Sequence, residues 1–330
     1  MNLFDNTLLD GGNVVGHGFP ADLTVSIVKG LLAAGIQDIE LGNCKGIGAY
    51  DKLGATRALS DEEYLKILEP YESQGRLGMF MMANLADEKL VKKAKDGGLT
   101  FLRVGANASD GAGSVRAVEL VKKAGLICRY SLMKAYVSAP EELAEEAKML
   151  QDAGVDMITI MDSAGTMFPQ DATAYVKALK AKVTIPVGFH GHSNLGLSQA
   201  NALAAAAAGA DEIDCGLLGM ARSAGNCATE LAAATLKKEG YLQEVDLYGL
   251  LDFLDKELIP AMEPYGYHVA VNPTDLILGL VGCHSNFLPM FRKVAEEEHV
   301  SLLRLIADVS ATDRKAPPES LLREIAGKLK

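Results

Sequence analysis

The chain has 330 residues, room for one large α/β domain with an appendage or for two domains. Apolar residues make up 49% of it, enough for a sizeable core, but no uninterrupted apolar run reaches the ~18 residues of a membrane helix. A net charge of −11 argues against a nucleic-acid partner, because such partners are met by a basic field.

The opening MNLFDNTLLDGG has no basic stretch ahead of an apolar one and does not read as a secretory signal. The five cysteines, Cys44, Cys128, Cys215, Cys227 and Cys283, are scattered, odd in number and form no CxxC pair. That pattern points to a reducing, cytoplasmic setting and away from a disulfide or zinc-ribbon scaffold.

Strand-like runs follow one another at 2–9, 38–42, 77–83, 100–105, 126–133, 157–162, 185–190 and 212–216. Amphipathic helical patterns alternate with them at 21–34, 61–72, 87–96, 114–124, 140–153, 170–181, 196–208 and 227–239. Eight strand-plus-helix units predict an α/β fold of the (β/α)8 TIM-barrel type. A glycine C-cap, short loop and strand recur at 35–40, 153–161 and 209–214, as βα periodicity requires. The barrel is expected over 1–245. Residues 246–330 read as a helical C-terminal domain, with stop signals at Pro260, Pro264, Pro273 and Pro317–Pro318.

Active sites of such barrels lie at the C-terminal strand ends. The reactive residues expected there are Asp10 ending strand 1, Glu40 and Asn43 ending strand 2 and Arg103 near the end of strand 4. They continue with Lys134 and Tyr136 ending strand 5, Asp162 and Ser163 ending strand 6, His190 and His192 ending strand 7, and Asn226 after strand 8. In GFHGHSN (188–194) the histidines are two apart, so on extended chain both imidazoles face one way and can reach one ion. Strand 8 separates strand 7 from strand 1 in a closed barrel, which brings Asp10 within reach of an Asp-His-His site with open positions. GNCKGIG (42–48) lacks the Lys-Ser/Thr ending of a P-loop, and no GxSxG elbow is present. Arg57, in the long connection after strand 2, reads as a substrate clamp or a surface charge.

With these residues in view, the sequence resembles the DRE-TIM metallolyase (HMGL-like) superfamily, and most closely its 4-hydroxy-2-oxovalerate aldolase type. The family opening D-x-T-L-R-D-G is met here by DNTLLDG (5–11). The strand 7 pattern G-x-H-x-H-x-N-L is met by GFHGHSNL (188–195), and the strand 8 pattern by DCGLLGMARSAGN (214–226). LGLVGCHSNFLPMFRKVAEE (278–297) is similar to the aldolases' C-terminal helical segment, so the likeness covers nearly the whole chain. The acyl-CoA condensing members carry G-E-R before A-G-N. Ala221-Arg222-Ser223 stands there instead, which favours the aldolase branch.

The resemblance implies Asp10, His190 and His192 as ligands of a divalent metal ion, Mn²⁺ or Mg²⁺, and cleavage or formation of a 4-hydroxy-2-oxo acid through a pyruvate enolate. The small-molecule partners would be an oxo acid and an aldehyde. An acylating aldehyde dehydrogenase partner and a homo-oligomer are also implied.

Three positions depart from the family. Leu9 replaces its enolate-facing arginine, Asn13 its basic histidine, and His284 a C-terminal tyrosine. His284 as replacement base, Lys134 as replacement cation and Glu40 as orienting carboxylate are the expected catalytic set. Leu9, Asn13, Arg103, Tyr136, Ser163 and Asn226 are expected to contact substrate. Two other readings stay open: an acyltransferase condensing an acyl-CoA with a 2-oxo acid, and an impaired paralogue kept for assembly.

Overall fold

The computed structural model describes residues 1–54, 58–267 and 273–330; Arg57 lies outside them. Eight parallel strands close a barrel in sequential order. They are β1 Asn2–Asn6, β2 Asp38–Leu41, β3 Arg76–Met82, β4 Phe101–Asn107, β5 Ile127–Met133, β6 Met157–Asp162, β7 Val187–Gly191 and β8 Glu212–Cys215. Closure is made where β1 pairs with β8, Phe4 beside Asp214. Helices Ala21–Ala33, Asp61–Leu68, Glu88–Asp96, Val115–Lys123, Pro140–Asp152, Pro169–Lys182, Ser198–Ala207 and Thr229–Lys238 cover the outside. Their starts use ordinary devices: Ser60 and Glu63 form a capping box, and Pro140 and Pro169 occupy first-turn positions. No helix among the described residues is long and apolar enough to cross a membrane. All five cysteines are buried and free.

Strand 1 is shorter than its apolar pattern predicts. It ends at Asn6, and Thr7–Asp10 forms one helical turn, so Asp10 follows the strand instead of ending it. The cause is local. The Asp5 side chain accepts the Thr7 N–H at 2.9 Å, and the Thr7 hydroxyl accepts the Leu217 N–H at 2.7 Å. These bonds draw the chain out of the sheet and across towards the β8 loop. Leu8 and Leu9, the source of the strand-like pattern, are buried there. The glycines behind Asp10 are chosen for space: a Cβ on Gly11 would lie 3.1 Å from Met220 and 3.3 Å from the Phe19 ring.

Layers of branched aliphatic residues commonly fill such barrels. This one is filled by ion pairs stacked on an aromatic ring. Arg103 from β4 donates to both carboxylate oxygens of Glu40 on β2 and to Asp214 on β8. One layer nearer the N-terminal end, Arg129 from β5 donates to Glu212 at 2.6 Å and to Asp38 at 2.7 Å. Both guanidinium groups lie over Phe4, 4.5 and 4.6 Å from its centroid, with Phe101 at 5.6 Å closing the stack. Gly78 is required beside it, because a side chain there would strike the Phe101 ring.

The hydrophobic cores divide later than the expected 245/246 boundary. Leu250, Phe253, Leu254, Leu258 and Met262 belong to the barrel's core, and Phe253 occupies the space over Gly30. A second core begins at Leu278 and joins helices Pro273–Val281, Leu288–Glu298, Leu302–Thr312 and Glu319–Leu329. This C-terminal region covers the C-terminal mouth of the barrel. Gly279 lies against Asn194 of the β7 loop, Arg314 donates to the Tyr136 carbonyl at 3.1 Å, and Lys315 donates to the Ala108 carbonyl at 3.0 Å.

Candidate functional site

A cavity of about 970 Å³ opens at the barrel mouth beneath this C-terminal region. Asp10, His190 and His192 form its floor on one side. One ligand-capable atom from each lies within 4.8 Å of the others, and all three residues are buried. Asp10 Oδ2 is 3.7 Å from His190 Nε2, and the imidazoles meet edge-on with centroids 5.0 Å apart. His190 belongs to β7. His192 follows it and forms an antiparallel bridge with Asn226, so the two strand ends fix its backbone.

The surroundings set the charge and orientation of these groups. Burial raises the Asp10 carboxyl, but the facing His190 and Arg222 outweigh it and hold Asp10 below the ordinary carboxylate range. Burial, then His190, depress His192 and keep it neutral. Asn226 donates to Asp10 Oδ2 at 3.0 Å and to Asn6 Oδ1 at 3.2 Å, which fixes the carboxylate's orientation. His190 Nδ1 lies 3.3 Å from Asp214 Oδ2, the carboxylate-behind-imidazole arrangement that fixes a tautomer and raises ligand basicity. His190 Nε2 and His192 Nδ1 are buried with no hydrogen-bond partner among the described residues. Buried polar atoms normally have partners, so two orphaned imidazole nitrogens beside an ionised carboxylate fit a bound divalent cation.

The other expected residues separate into those at the cavity and those behind it. Leu9, Asn13, Arg103, Lys134, Ser163 and His284 line it; Glu40, Tyr136 and Asn226 do not. Asn13 donates its side-chain N–H to the Asp10 carbonyl at 2.8 Å, bracing the helical turn. Glu40 is spent on Arg103, and Arg103 on Glu40 and Asp214. Burial opposes the Arg103 charge, but its two carboxylates hold it protonated. Tyr136 is buried under Arg314, which lies 5.8 Å from its ring centroid. Ser163 Oγ accepts the Lys134 N–H at 2.9 Å.

Lys134 has a left-handed backbone at φ 56°, and its ammonium is engaged by the Lys315 carbonyl at 2.8 Å and the Phe287 ring at 5.2 Å. His284 Nδ1 accepts the Asn286 N–H at 3.1 Å, and burial, then Arg222, depress its pKa. A neutral imidazole with its lone pair at Nδ1 so occupied carries its hydrogen on Nε2. As placed, His284 offers the cavity a donor, and a base role requires that bond to break.

Four contributors lie outside the expected set. Asp214 and Asn6 brace His190, and Arg222 and His17 line the cavity. Inward alternation with Glu212 and Arg103 would have found Asp214. Arg222 was visible only as a departure from G-E-R, and nothing in the sequence around His17 marks it.

Comparison with known proteins agrees with this architecture. The family model HMGL-like matches residues 1–256. A 4-hydroxy-2-oxovalerate aldolase from Carboxydothermus hydrogenoformans is 32% identical over 329 residues, covering 100% of this chain and 97% of that protein. Another from Moorella thermoacetica is 32% identical over 329 residues, covering 100% of this chain and 96% of that protein. The carboxyl transferase domain of Rhizobium etli pyruvate carboxylase superposes with a TM-score of 0.78 at 16% identity, covering 100% of this chain and 62% of that one, a likeness of fold. A closed eight-strand barrel with its histidine pair on β7, matched along its length by these relatives, makes this chain a member of the HMGL-like family.

Proposed function

We propose that this protein is a divalent-metal-dependent aldolase that cleaves or forms a 4-hydroxy-2-oxo acid. The observation that carries the reading is the braced Asp10-His190-His192 triad with its two unpartnered imidazole nitrogens, in a chain whose relatives are named as such aldolases. Asp10, His190 and His192 would hold Mn²⁺ or Mg²⁺, which would supply Lewis-acid stabilisation of the negative charge that develops on the oxo-acid half.

In cleavage the C3–C4 bond breaks and its electron pair stays on C3 as the enolate of pyruvate. The 4-hydroxyl proton passes to a base and the aldehyde leaves; C3 then takes a proton. Two histidines at the cavity outside the triad are candidates for the proton work. His284 donates from Nε2 and orients a substrate oxygen. His17, whose Nδ1 lies 3.5 Å from Cys44 Sγ, acts as the acceptor at Nε2 in the tautomer whose Nδ1–H donates to that sulfur. Leu9 gives the cavity an apolar wall, and Arg222 gives it a cation.

The test is release of pyruvate from short 4-hydroxy-2-oxo acids by protein reconstituted with Mn²⁺ or Mg²⁺. Turnover abolished by EDTA and restored by metal is the expected result. No pyruvate with either ion refutes the reading, and release of free CoA from acetyl-CoA with an oxo acid replaces it by acyl transfer.

A further inference from the structure

The charge of the cavity lining runs opposite to that of the chain. The protein has 43 acidic and 32 basic residues. Yet among the described lining residues the one carboxylate is Asp10, against Lys45, Arg103, Lys134, Arg222 and Arg292. Two of these cations are already satisfied: Arg103 by Glu40 and Asp214, and Lys134 by the Lys315 carbonyl and the Phe287 ring. Lys45 and Arg292 are exposed at the rim, one from the β2 loop and one from the C-terminal helix Leu288–Glu298.

Arg222 differs from both groups. Its guanidinium is half-buried, Nη1 donates to Asn286 Oδ1 at 2.6 Å, and Nε is buried with no partner among the described residues. It lines the same cavity as Asp10, His190, His192 and His284. A half-buried guanidinium with a buried, unfilled Nε and no carboxylate hydrogen-bonded to it is a site that an anion completes. The oxo-acid half brings one negative charge, which a divalent cation held by the triad would offset. The volume agrees with a larger substrate: pockets of ~300–1,000 Å³ hold drug-sized ligands, and this one is near the upper end.

We infer that the aldehyde half of the substrate carries a second anionic group, a carboxylate or a phosphate ester, and that Arg222 binds it. The inference rests on the aldolase reading and narrows it to a substrate class. Arg222 holds the charged end; the rim cations Lys45 and Arg292 draw it in.

The experiment is condensation of pyruvate with three aldehydes by the metal-loaded protein: acetaldehyde, succinic semialdehyde and glyceraldehyde 3-phosphate. For the unaltered protein kcat/KM is expected about 100-fold higher with one of the anionic aldehydes than with acetaldehyde, and which one wins identifies the anion. Arg222→Gln is expected to shrink that preference below 10-fold by raising KM for the anionic aldehyde, and Arg222→Lys to restore part of it. Equal kcat/KM for all three aldehydes overturns the inference and leaves the aldolase reading standing. A KM for pyruvate raised equally with every aldehyde also overturns it, by placing Arg222 on the oxo-acid half. Calorimetry on EDTA-treated protein with succinate and 3-phosphoglycerate gives a readout free of turnover. Binding weakened at least 10-fold by Arg222→Gln supports the anion site even if no aldehyde is turned over, the outcome in which the aldolase reading alone fails.

Discussion

Asp214 faces two basic groups with the same oxygen: Arg103 donates to Oδ2, and His190 Nδ1 lies 3.3 Å from it. Burial alone would raise its pKa; Arg103 and His190 hold it low instead, so the imidazole has an anion behind it. Asp214→Asn keeps the size and removes that charge. It is expected to weaken Mn²⁺ binding by about 10–100-fold, measured by titration of metal-free protein. The two cavity histidines separate by their kinetic constants. If His17 accepts the proton, His17→Gln lowers kcat for cleavage on the order of 10²-fold or more. His284→Gln leaves kcat near its value and raises KM. The reverse pattern would return the base role to His284. At this scale the sequence marked Asp10, His190 and His192 because spacing of two on a strand end is a geometric statement. It did not mark the donor role of His284, which depends on one backbone N–H two residues on.

Among the elements, the strands were legible because buried parallel strands read as short apolar runs between turn signals. β1 was misjudged at its end: Leu8 and Leu9 continue the apolar pattern while Asp5 and Thr7 side chains redirect the backbone, and a hydropathy pattern cannot register such bonds. The interior charges of β2, β4, β5 and β8 carry a stability consequence. Burial raises Glu212 from 4.5 to about 8, against the pull of Arg129, and Glu40 from 4.5 to about 7, against that of Arg103. A carboxyl whose folded pKa exceeds its unfolded one holds an extra proton in the folded state between the two values. Its stabilising contribution is fully present below the unfolded value and is lost as pH rises through the folded one. Tm of the metal-free protein should therefore fall between about pH 5 and pH 8 on account of these groups, and Glu212→Gln should flatten the slope in a calorimetric series.

For the molecule as a whole, the C-terminal region is part of the cavity and not an appendage. It supplies His284, Asn286 and Arg292 and is fastened through Gly279, Arg314 and Lys315. A Cβ on Gly279 would lie 2.5 Å from Asn194, so Gly279→Val pushes the region off the β7 loop. Overpacking of this kind costs about 1–3 kcal/mol. The expected outcome is a KM raised about 10-fold, with the barrel's far-UV circular dichroism unchanged; an unchanged KM would show that the cavity does not need this contact. The sequence disclosed the helical region but placed its boundary at 245/246. The apolar positions of Leu247–Met262 look the same whether they serve a new core or the outer wall of the barrel.

The shared oxygen of Asp214 has a consequence for how this protein can change. Arg103, which ties β2, β4 and β8 together across the barrel's interior, and His190, a ligand in the proposed metal site, share one carboxylate oxygen. On the proposed reading, barrel stability and metal affinity are thus linked. A substitution at β4 chosen to strengthen the barrel is expected to shift metal affinity as well. The two separate where Glu40 alone serves as the counter-ion of Arg103 and Asp214 is left to His190.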